Sequence, residues 1–182
     1  MTTLDCSDDR LVERARAGDH EAFRQLVRRY EPVVASTVIG MLGQGADADD
    51  VGQETMIRLY RSLDRFAGRS SLKTYLTRIA INASLDALRR RRRFLKRFWS
   101  LGGDEPQPEP QDSVDVSSRR EVHRALRQLT PDHRAVVVLR LMQGYSTQET
   151  ADLLNLPVGT VLSRLDRAKK RLVTLLMVDD DV

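Results

Sequence analysis

Residues 130–176 constrain this chain more than any other stretch, because two short helical patterns around a turn are followed by a long basic one. Thr130-Pro131 reads as a helix start, with a hydroxyl at the N-cap and proline where a missing N–H costs nothing. Helical spacing continues through Ala135, Val136, Leu139 and Met142, and Gly144 supplies a left-handed C-terminal residue. Ser146-Thr147-Gln148-Glu149 is a capping box, in which Ser146 accepts from the Glu149 N–H while Glu149 reaches back. The helix it opens carries Ala151, Leu153 and Leu154 and ends near Asn155. Pro157 restarts the chain into Val158-Gly159-Thr160-Val161 and a final helix to about Leu176. Helix, short turn, helix is the sequence form of a helix-turn-helix, whose second helix enters the DNA major groove.

The final helix has two faces. At 100° per residue, Val161, Leu165, Ala168, Leu172 and Leu175 share one stripe, the side a small domain buries. The opposite side holds Gly159, Leu162, Ser163, Asp166, Arg167 and Lys170, flanked by Arg164 and Arg171. An ordinary solvated face would look similar. The capping box, turn and proline restart favour DNA, since short polar and basic side chains opposite a core stripe suit bases and phosphates.

Upstream, nearly every periodic segment also has helical spacing, and no alternating strand of useful length occurs. Phe23, Leu26, Val27 and Tyr30 follow an Asp19 cap; Val34, Val38, Met41 and Leu42 follow Pro32. Met56, Leu59, Tyr60 and Leu63 follow the acidic residues 47–50, and Leu72, Leu76, Ile79 and Ala83 follow Ser70. Four such helices build one small bundle. Residues 102–118 then shift to Gly, Pro, Gln and acids with almost nothing apolar, the composition of an extended tether. Helical spacing resumes with Val122, Ala125, Leu126 and Leu129. The expected fold is all-α: an N-terminal bundle (1–93), an acidic Pro-rich flexible linker (94–118) and a C-terminal helix-turn-helix domain (119–182).

Charge follows the same division. Residues 1–93 carry 17 basic and 13 acidic side chains, residues 94–118 carry 2 and 5, and residues 119–182 carry 11 and 8. Two basic blocks flank an acidic one, compatible with a polyanionic partner. A single cysteine, Cys6, excludes an internal disulfide and a thiolate metal cluster, and His20, His123 and His133 lack metal-ligand spacing. No metal or cofactor is expected. No paired carboxylates, activated nucleophile or phosphate loop suggests an enzyme. The acidic start lacks the apolar core of a secretory leader, and the longest apolar run, residues 135–139, is too short to span a bilayer. A cytoplasmic protein is expected.

Three ordered motifs resemble the bacterial RNA polymerase sigma factors of the extracytoplasmic-function group, over about residues 11–176. Asp47-Ala48-Asp49-Asp50-Val51-Gly52-Gln53-Glu54-Thr55 is similar to the acidic start of their polymerase-binding helix. Phe66-Ala67-Gly68-Arg69-Ser70-Ser71-Leu72-Lys73-Thr74-Tyr75-Leu76, with Arg78-Ile79-Ala80-Ile81-Asn82-Ala83 and Asp86-Ala87-Leu88-Arg89-Arg90, is similar to their promoter −10 segment. Gly159-Thr160-Val161, Ser163-Arg164-Leu165 and Arg167-Ala168 are similar to their −35 recognition helix.

The resemblance implies an alternative sigma factor that binds core RNA polymerase, recognises and helps melt the −10 element and docks on the −35 element. Core-binding residues would be Asp47, Asp49, Asp50, Gln53, Glu54, Ile57 and Tyr60; acids opening a helix are also favoured by its dipole. The −10 set would be Phe66, Arg69, Ser70, Ser71, Lys73, Arg78, Asn82 and Arg89, in a loop that captures an unstacked base and a helix face offering phosphate contacts and one base reader. Phe66 also reads as a core residue beneath that loop. The −35 set would be Thr160, Leu162, Ser163, Arg164, Asp166, Arg167, Lys170 and Arg171. Two of these depart from the family, where the position of Leu162 is usually basic and that of Asp166 aromatic or histidine. Leu162 suits a thymine methyl and Asp166 a cytosine amino group, although Asp166 also repels phosphates. The resemblance further implies an anti-sigma factor as partner, and that Phe94, Phe98 and Trp99 anchor the linker or meet a regulator. The competing reading is a stand-alone helix-turn-helix regulator of duplex DNA.

Overall fold

The computed structural model describes residues 7–100 and 117–177; Cys6, the acidic stretch 102–116 and the side chains of Phe98 and Trp99 lie outside the described residues. Among the described residues eight α-helices run in order: α1 Asp8–Arg16, α2 His20–Leu42, α3 Ala46–Ser62, α4 Leu72–Ser100, α5 Ser117–Arg127, α6 Pro131–Val137, α7 Thr147–Leu154 and α8 Val158–Met177. A 3-10 turn, Leu63–Arg65, follows α3, and a π-helical turn, Val138–Met142, follows α6. The described residues form helices and turns, in keeping with the all-α expectation.

The N-terminal bundle is α1–α4, with Leu11, Leu26, Val38, Leu59 and Leu76 at the centre of its core. Two features differ from the sequence reading. The residues before Asp19 form α1, tied to α2 where the Asp8 carboxylate accepts from Arg29 at 2.6 Å and from the Tyr30 hydroxyl. And Pro32 does not divide the next segment: α2 is one helix of 23 residues. An interior proline costs about 3 kcal/mol of helix stability. Here the patterns on either side of it lie on one stripe, and burying Leu26, Tyr30, Val34, Val38 and Met41 together offsets that cost, each large apolar side chain contributing about 1.5–3 kcal/mol. Asp19 starts the helix as expected, accepting from the Glu21 and Ala22 N–H groups at 3.0 and 3.1 Å.

α4 likewise does not end at residue 93 but continues to Ser100, its last described turns lined with exposed arginines. The C-terminal domain packs α5, α6 and α7 against α8 around Leu126, Leu129, Val136, Ala151, Val161 and Ala168. Its caps match the sequence. Thr130 accepts from the His133 N–H, the Ser146–Glu149 capping box is complete in both directions, Gly144 has φ +76°, and Asn155 ends α7 in the left-handed region at φ 52°.

The two domains touch. A third cluster joins Met41 and Ile81 of the bundle to Ala135, Val138, Leu139, Tyr145 and Leu153 of the C-terminal domain. The π turn contributes: its wider ring, closed by Gln143 N–H to Val138 O at 2.9 Å, leaves Val138 and Leu139 both buried at this seam. Gly40 lies in the last turn of α2, where a Cβ would lie 3.0 Å from Val138 Cγ2 and 3.1 Å from Met142 Sδ. Its missing side chain permits the approach.

Candidate polymerase and nucleic-acid interface

α3 has its apolar stripe, Ala48, Val51, Thr55 and Leu59, on the core. Helical periodicity therefore sends Asp50, Gln53, Ile57 and Tyr60 to the far side. All four are exposed, Ile57 at 44% and Tyr60 at 51%, unusual for large apolar groups and suited to a partner surface. Tyr60 is held edge-on to Phe23, centroids 5.0 Å apart. Asp47 and Glu54 flank the stripe. Asp47 faces Arg91 of α4 at 3.7 Å, and Glu54 accepts from Arg58 Nε at 2.8 Å. That hydrogen bond, followed in weight by the opposing effect of burial and by the charges of Arg58, Arg61 and Arg90, holds the Glu54 carboxyl below its ordinary value. Asp49 is exposed, and Gly45 precedes the helix at φ 130° with no capping side chain, so the first-turn acids face the uncovered dipole end.

The loop from Phe66 to Ser71 leads into α4. Phe66 itself belongs to the core: it is 9% exposed, 5.1 Å from the Tyr75 ring, and its carbonyl accepts from Arg16. Of the loop residues expected to meet DNA, Arg69 and Ser71 are exposed and Ser70 is half-buried. Ser71 also caps α4, accepting from the Thr74 N–H at 3.1 Å. Gly68 has φ +65° with open space around it, which lets the loop turn back over Phe66.

Three stripes run down α4. Leu72, Leu76, Ala80 and Ala83 enter the bundle; Thr77, Ile81, Leu85 and Leu88 face the C-terminal domain; Arg78, Asn82 and Arg89 remain exposed. The sequence reading placed the first and third correctly but put Ile79, which is half-buried, where Ala80 is the buried residue. It did not foresee the second stripe. Neighbouring groups of the −10 set are in contact with the C-terminal domain: the Lys73 ammonium sits 5.7 Å over the Tyr145 ring, and Arg78 donates to the Asp152 carbonyl at 3.3 Å. Arg89 pairs with Asp86 at 3.2 Å within its own helix.

On α8, Val161, Leu165 and Ala168 are buried, and Leu162, Ser163, Asp166, Arg167, Lys170 and Arg171 are exposed. Thr160 and Arg164 are half-buried. Arg164 bridges to Asp132 of α6 at 3.3 Å, a contact that steadies α8 against the first turn of α6. Lys170 pairs with Asp166 at 2.9 Å, both largely in solvent, so the pair contributes at most about 1 kcal/mol. The Ser163 hydroxyl donates to the Thr160 carbonyl at 3.0 Å. Among the described residues no group of three His, Cys, Asp or Glu side chains is placed to hold a metal, and no helix is long and apolar enough to cross a membrane.

Comparison with known proteins bears directly on this layout. Residues 26–94 match the Sigma-70 region 2 family and residues 119–172 the Sigma-70 region 4 family. The ECF RNA polymerase sigma-E factor of Salmonella typhimurium is 37% identical over 175 residues, covering 90% of this chain and 91% of that protein. The chain belongs to the ECF RNA polymerase sigma factors. The RNA polymerase sigma-H factor of Pseudomonas aeruginosa is 34% identical, with 90% of each chain covered. Among solved structures, CnrH in complex with the cytosolic domain of CnrY is similar at a TM-score of 0.67 and 30% identity, over 96% of this chain and 99% of that one. The sigma factor RpoE of Bartonella quintana, solved with the anti-sigma factor NepR, is similar at 0.69 and 26%, over 86% and 98%. As an ECF sigma factor the protein binds core RNA polymerase and promoter DNA and directs transcription initiation, as the sequence motifs implied.

What the sequence missed is the role of Arg134, Tyr145 and Gly40, which with Met41, read only as one position of a helical pattern, bring α2 and α4 against the C-terminal domain. Only Gly40 left a local signal, a glycine inside a strong helical pattern.

Proposed function

We propose that the three surfaces divide the sigma factor's work by element. The stripe Asp50, Gln53, Ile57 and Tyr60, with Asp47, Asp49 and Glu54 beside it, is the polymerase-binding face. Two exposed apolar side chains among acids, on the side of α3 away from its own core, carry this reading. The face Arg78, Asn82 and Arg89, with Arg69, Ser70, Ser71 and Lys73, takes the −10 element: the cations meet phosphates and Asn82 reads a base edge. Unstacking a base costs a few kcal/mol, which such contacts offset. Phe66 supports the loop from below. The −35 duplex lies on α8, where Leu162, Ser163, Asp166, Arg167, Lys170 and Arg171 face outward and Thr160 and Arg164 set the helix in place.

Residues 1–93 and 119–182 act as the two recognition domains, joined through residues 94–118. The protein works in the cytoplasm, carries no catalytic site of its own, and is held in check by an anti-sigma factor. Similarity to RpoE, solved with its anti-sigma factor, supports that last assignment.

Run-off transcription from fragmented genomic DNA, with core polymerase and with or without this protein, tests the whole reading. Discrete new start sites sharing −35 and −10 sequences are expected. A footprint by the protein alone on duplex DNA, without any new start site, would instead mean a stand-alone regulator. Replacing Asp49 and Asp50 by Lys should abolish binding to core polymerase, measured by co-elution; full affinity in that variant removes the acidic turn of α3 from the interface.

A further inference from the structure

α1 packs on the bundle through Leu11, Val12 and Ala15, and Asp8 ties its start to Arg29 and Tyr30 of α2. Its last residue, Arg16, reaches away from α2. The guanidinium donates through Nε to the Leu63 carbonyl at 2.9 Å and through Nη2 to the Phe66 carbonyl. Those carbonyls stand at the start of the 3-10 turn and just past its end, where the chain enters the loop that leads to α4. The Phe66 N–H closes the same turn on the Leu63 carbonyl at 3.1 Å, so the guanidinium grips both ends of one turn. Arginine suits this task because its planar fork presents two donors side by side, whereas lysine offers a single nitrogen. A cation is also favoured where a helical segment ends on uncovered carbonyls. Arg16 itself stays exposed, so losing it leaves the core of the bundle intact.

Beyond this grip little holds the loop. Among the described residues, those at 67–70 make no hydrogen bond, and those at 67–69 are exposed. The far end is fixed by Ser71, which caps α4 and shares a hydrogen bond with the Thr74 hydroxyl at 2.9 Å. Beneath the near end, the Phe66 ring rests on Tyr75. A span without bonds of its own takes its path from its two ends, and the Phe66 carbonyl is its first peptide group. We propose that Arg16 is the positioning residue of this loop: by gripping Leu63 and Phe66 it sets the tilt of residues 68–71, and with it the discrimination among bases at the −10 position the loop captures. The inference rests on the assignment of Arg69, Ser70 and Ser71 to the melted −10 strand. Without the guanidinium the Phe66 carbonyl is released while its ring stays packed, so the loop persists but loses its single orientation. A hydrogen bond to a base edge weakens steeply as it departs from linearity. The tilted loop therefore still meets phosphates and no longer ranks bases.

The test uses holoenzyme assembled from core polymerase and the full chain, titrated with single-stranded −10 oligonucleotides from the promoters that run-off transcription maps, each base placed at each position. Arg16→Met should lower discrimination at one position about fivefold or more, with affinity for core polymerase and for an isolated −35 duplex unchanged. Arg16→Lys keeps the charge but grips one carbonyl, so discrimination there should stay low. Gly68→Val forces a β-branched residue into φ +65° and distorts the loop directly, so it should disturb the same position. An Arg16→Met protein that melts earlier yet ranks the oligonucleotides like wild type, while Gly68→Val alters the ranking, overturns the proposal. Arg16 would then be a staple of α1, and the promoter assignment would stand. Wild-type discrimination in Arg16→Lys also overturns it, because charge without the fork would suffice. If Gly68→Val and Arg16→Met both leave every position unchanged, the loop does not read the −10 strand, and the promoter assignment falls together with the proposal.

Discussion

A buried guanidinium with no carboxylate beside it needs its charge met in some other way. Arg134 is 5% exposed, and its two terminal nitrogens donate to the carbonyls of Met41, Arg127 and Leu129, leaving Nε without a partner. Burial, and after it the charge of Arg127, pulls its pKa down to about 10. With the folded value below the unfolded one, the unfolded chain holds the extra proton between them, so stability rises with pH only above about 10. At neutral pH the side chain stays charged, and its geometry decides what it contributes. Lysine has one nitrogen and no planar fork. Arg134→Lys should therefore lose about 1.5–3 kcal/mol, the scale of one charged hydrogen bond, in urea unfolding; a midpoint within error of wild type would mean the carbonyls are met by water at little cost. Asn82 makes a different kind of residue-scale claim. It is exposed on the outer stripe of α4, so Asn82→Ala should leave stability unchanged and remove about 1–3 kcal/mol of base discrimination at one −10 position. Promoter competition assays read that directly, and an unchanged preference at every position excludes direct readout by Asn82.

At the scale of the helix, α7 owes its start to Glu149 as much as to Ser146. The Ser146 N–H donates to Glu149 at 2.7 Å, and the Glu149 N–H donates to the Ser146 hydroxyl at 3.2 Å. The Ser146 contacts, more than the charges of Arg140 and Lys73, hold the Glu149 carboxyl below its ordinary value. Its stabilisation is therefore complete above the unfolded pKa and fades as pH falls through the folded one. Glu149→Gln keeps an acceptor but does not titrate. It should flatten the loss of thermal stability between about pH 5 and pH 3, an interval below and around the ordinary carboxylate range; an acid limb identical to wild type would assign that loss to other carboxylates, Asp19 among them. Signals of this local kind are also why so much could be read in advance. Caps at Asp19, Thr130 and Ser146, the turn at Asn155 and the stripe on α8 each follow from residues within a few positions of one another. The continuous α2 does not, because whether a helix survives Pro32 depends on what Tyr30 and Val34 pack against, and those partners are distant in sequence. α1 escaped for a related reason: Leu11, Val12 and Ala15 span little more than one turn, too short a pattern to register until the bundle buries it. The second stripe on α4 is likewise a property of the far domain.

On the scale of the molecule, charge and reach together govern promoter binding. The formal net charge of +4 is small, and what matters is that cations stand where phosphates would pass while acids stand on α3, away from them. On α8 the exposed cations opposite the core stripe are Arg167, Lys170 and Arg171, with Lys169 exposed nearer its edge, and Lys170 is partly neutralised by Asp166 at 2.9 Å. Each phosphate neutralised contributes about −0.9 to the slope of log affinity against log salt on duplex DNA. Full-length protein on an isolated −35 duplex should thus show a slope of about −2 to −3. Asp166→Ala releases Lys170 and removes a repelling charge, so its slope should steepen by about 1 while affinity for random duplex rises several-fold at low salt. The same variant separates the two roles open to Asp166. If the aspartate accepts from a cytosine amino group, the general gain comes with a loss of about 1–3 kcal/mol in preference at a single −35 position. If it serves only to temper phosphate binding, affinity rises for every sequence alike and the ranking of promoters does not move. An unchanged salt slope would mean that Lys170 already reaches a phosphate past Asp166, and the ion pair seen in the free chain would then dissolve on DNA at no measurable cost.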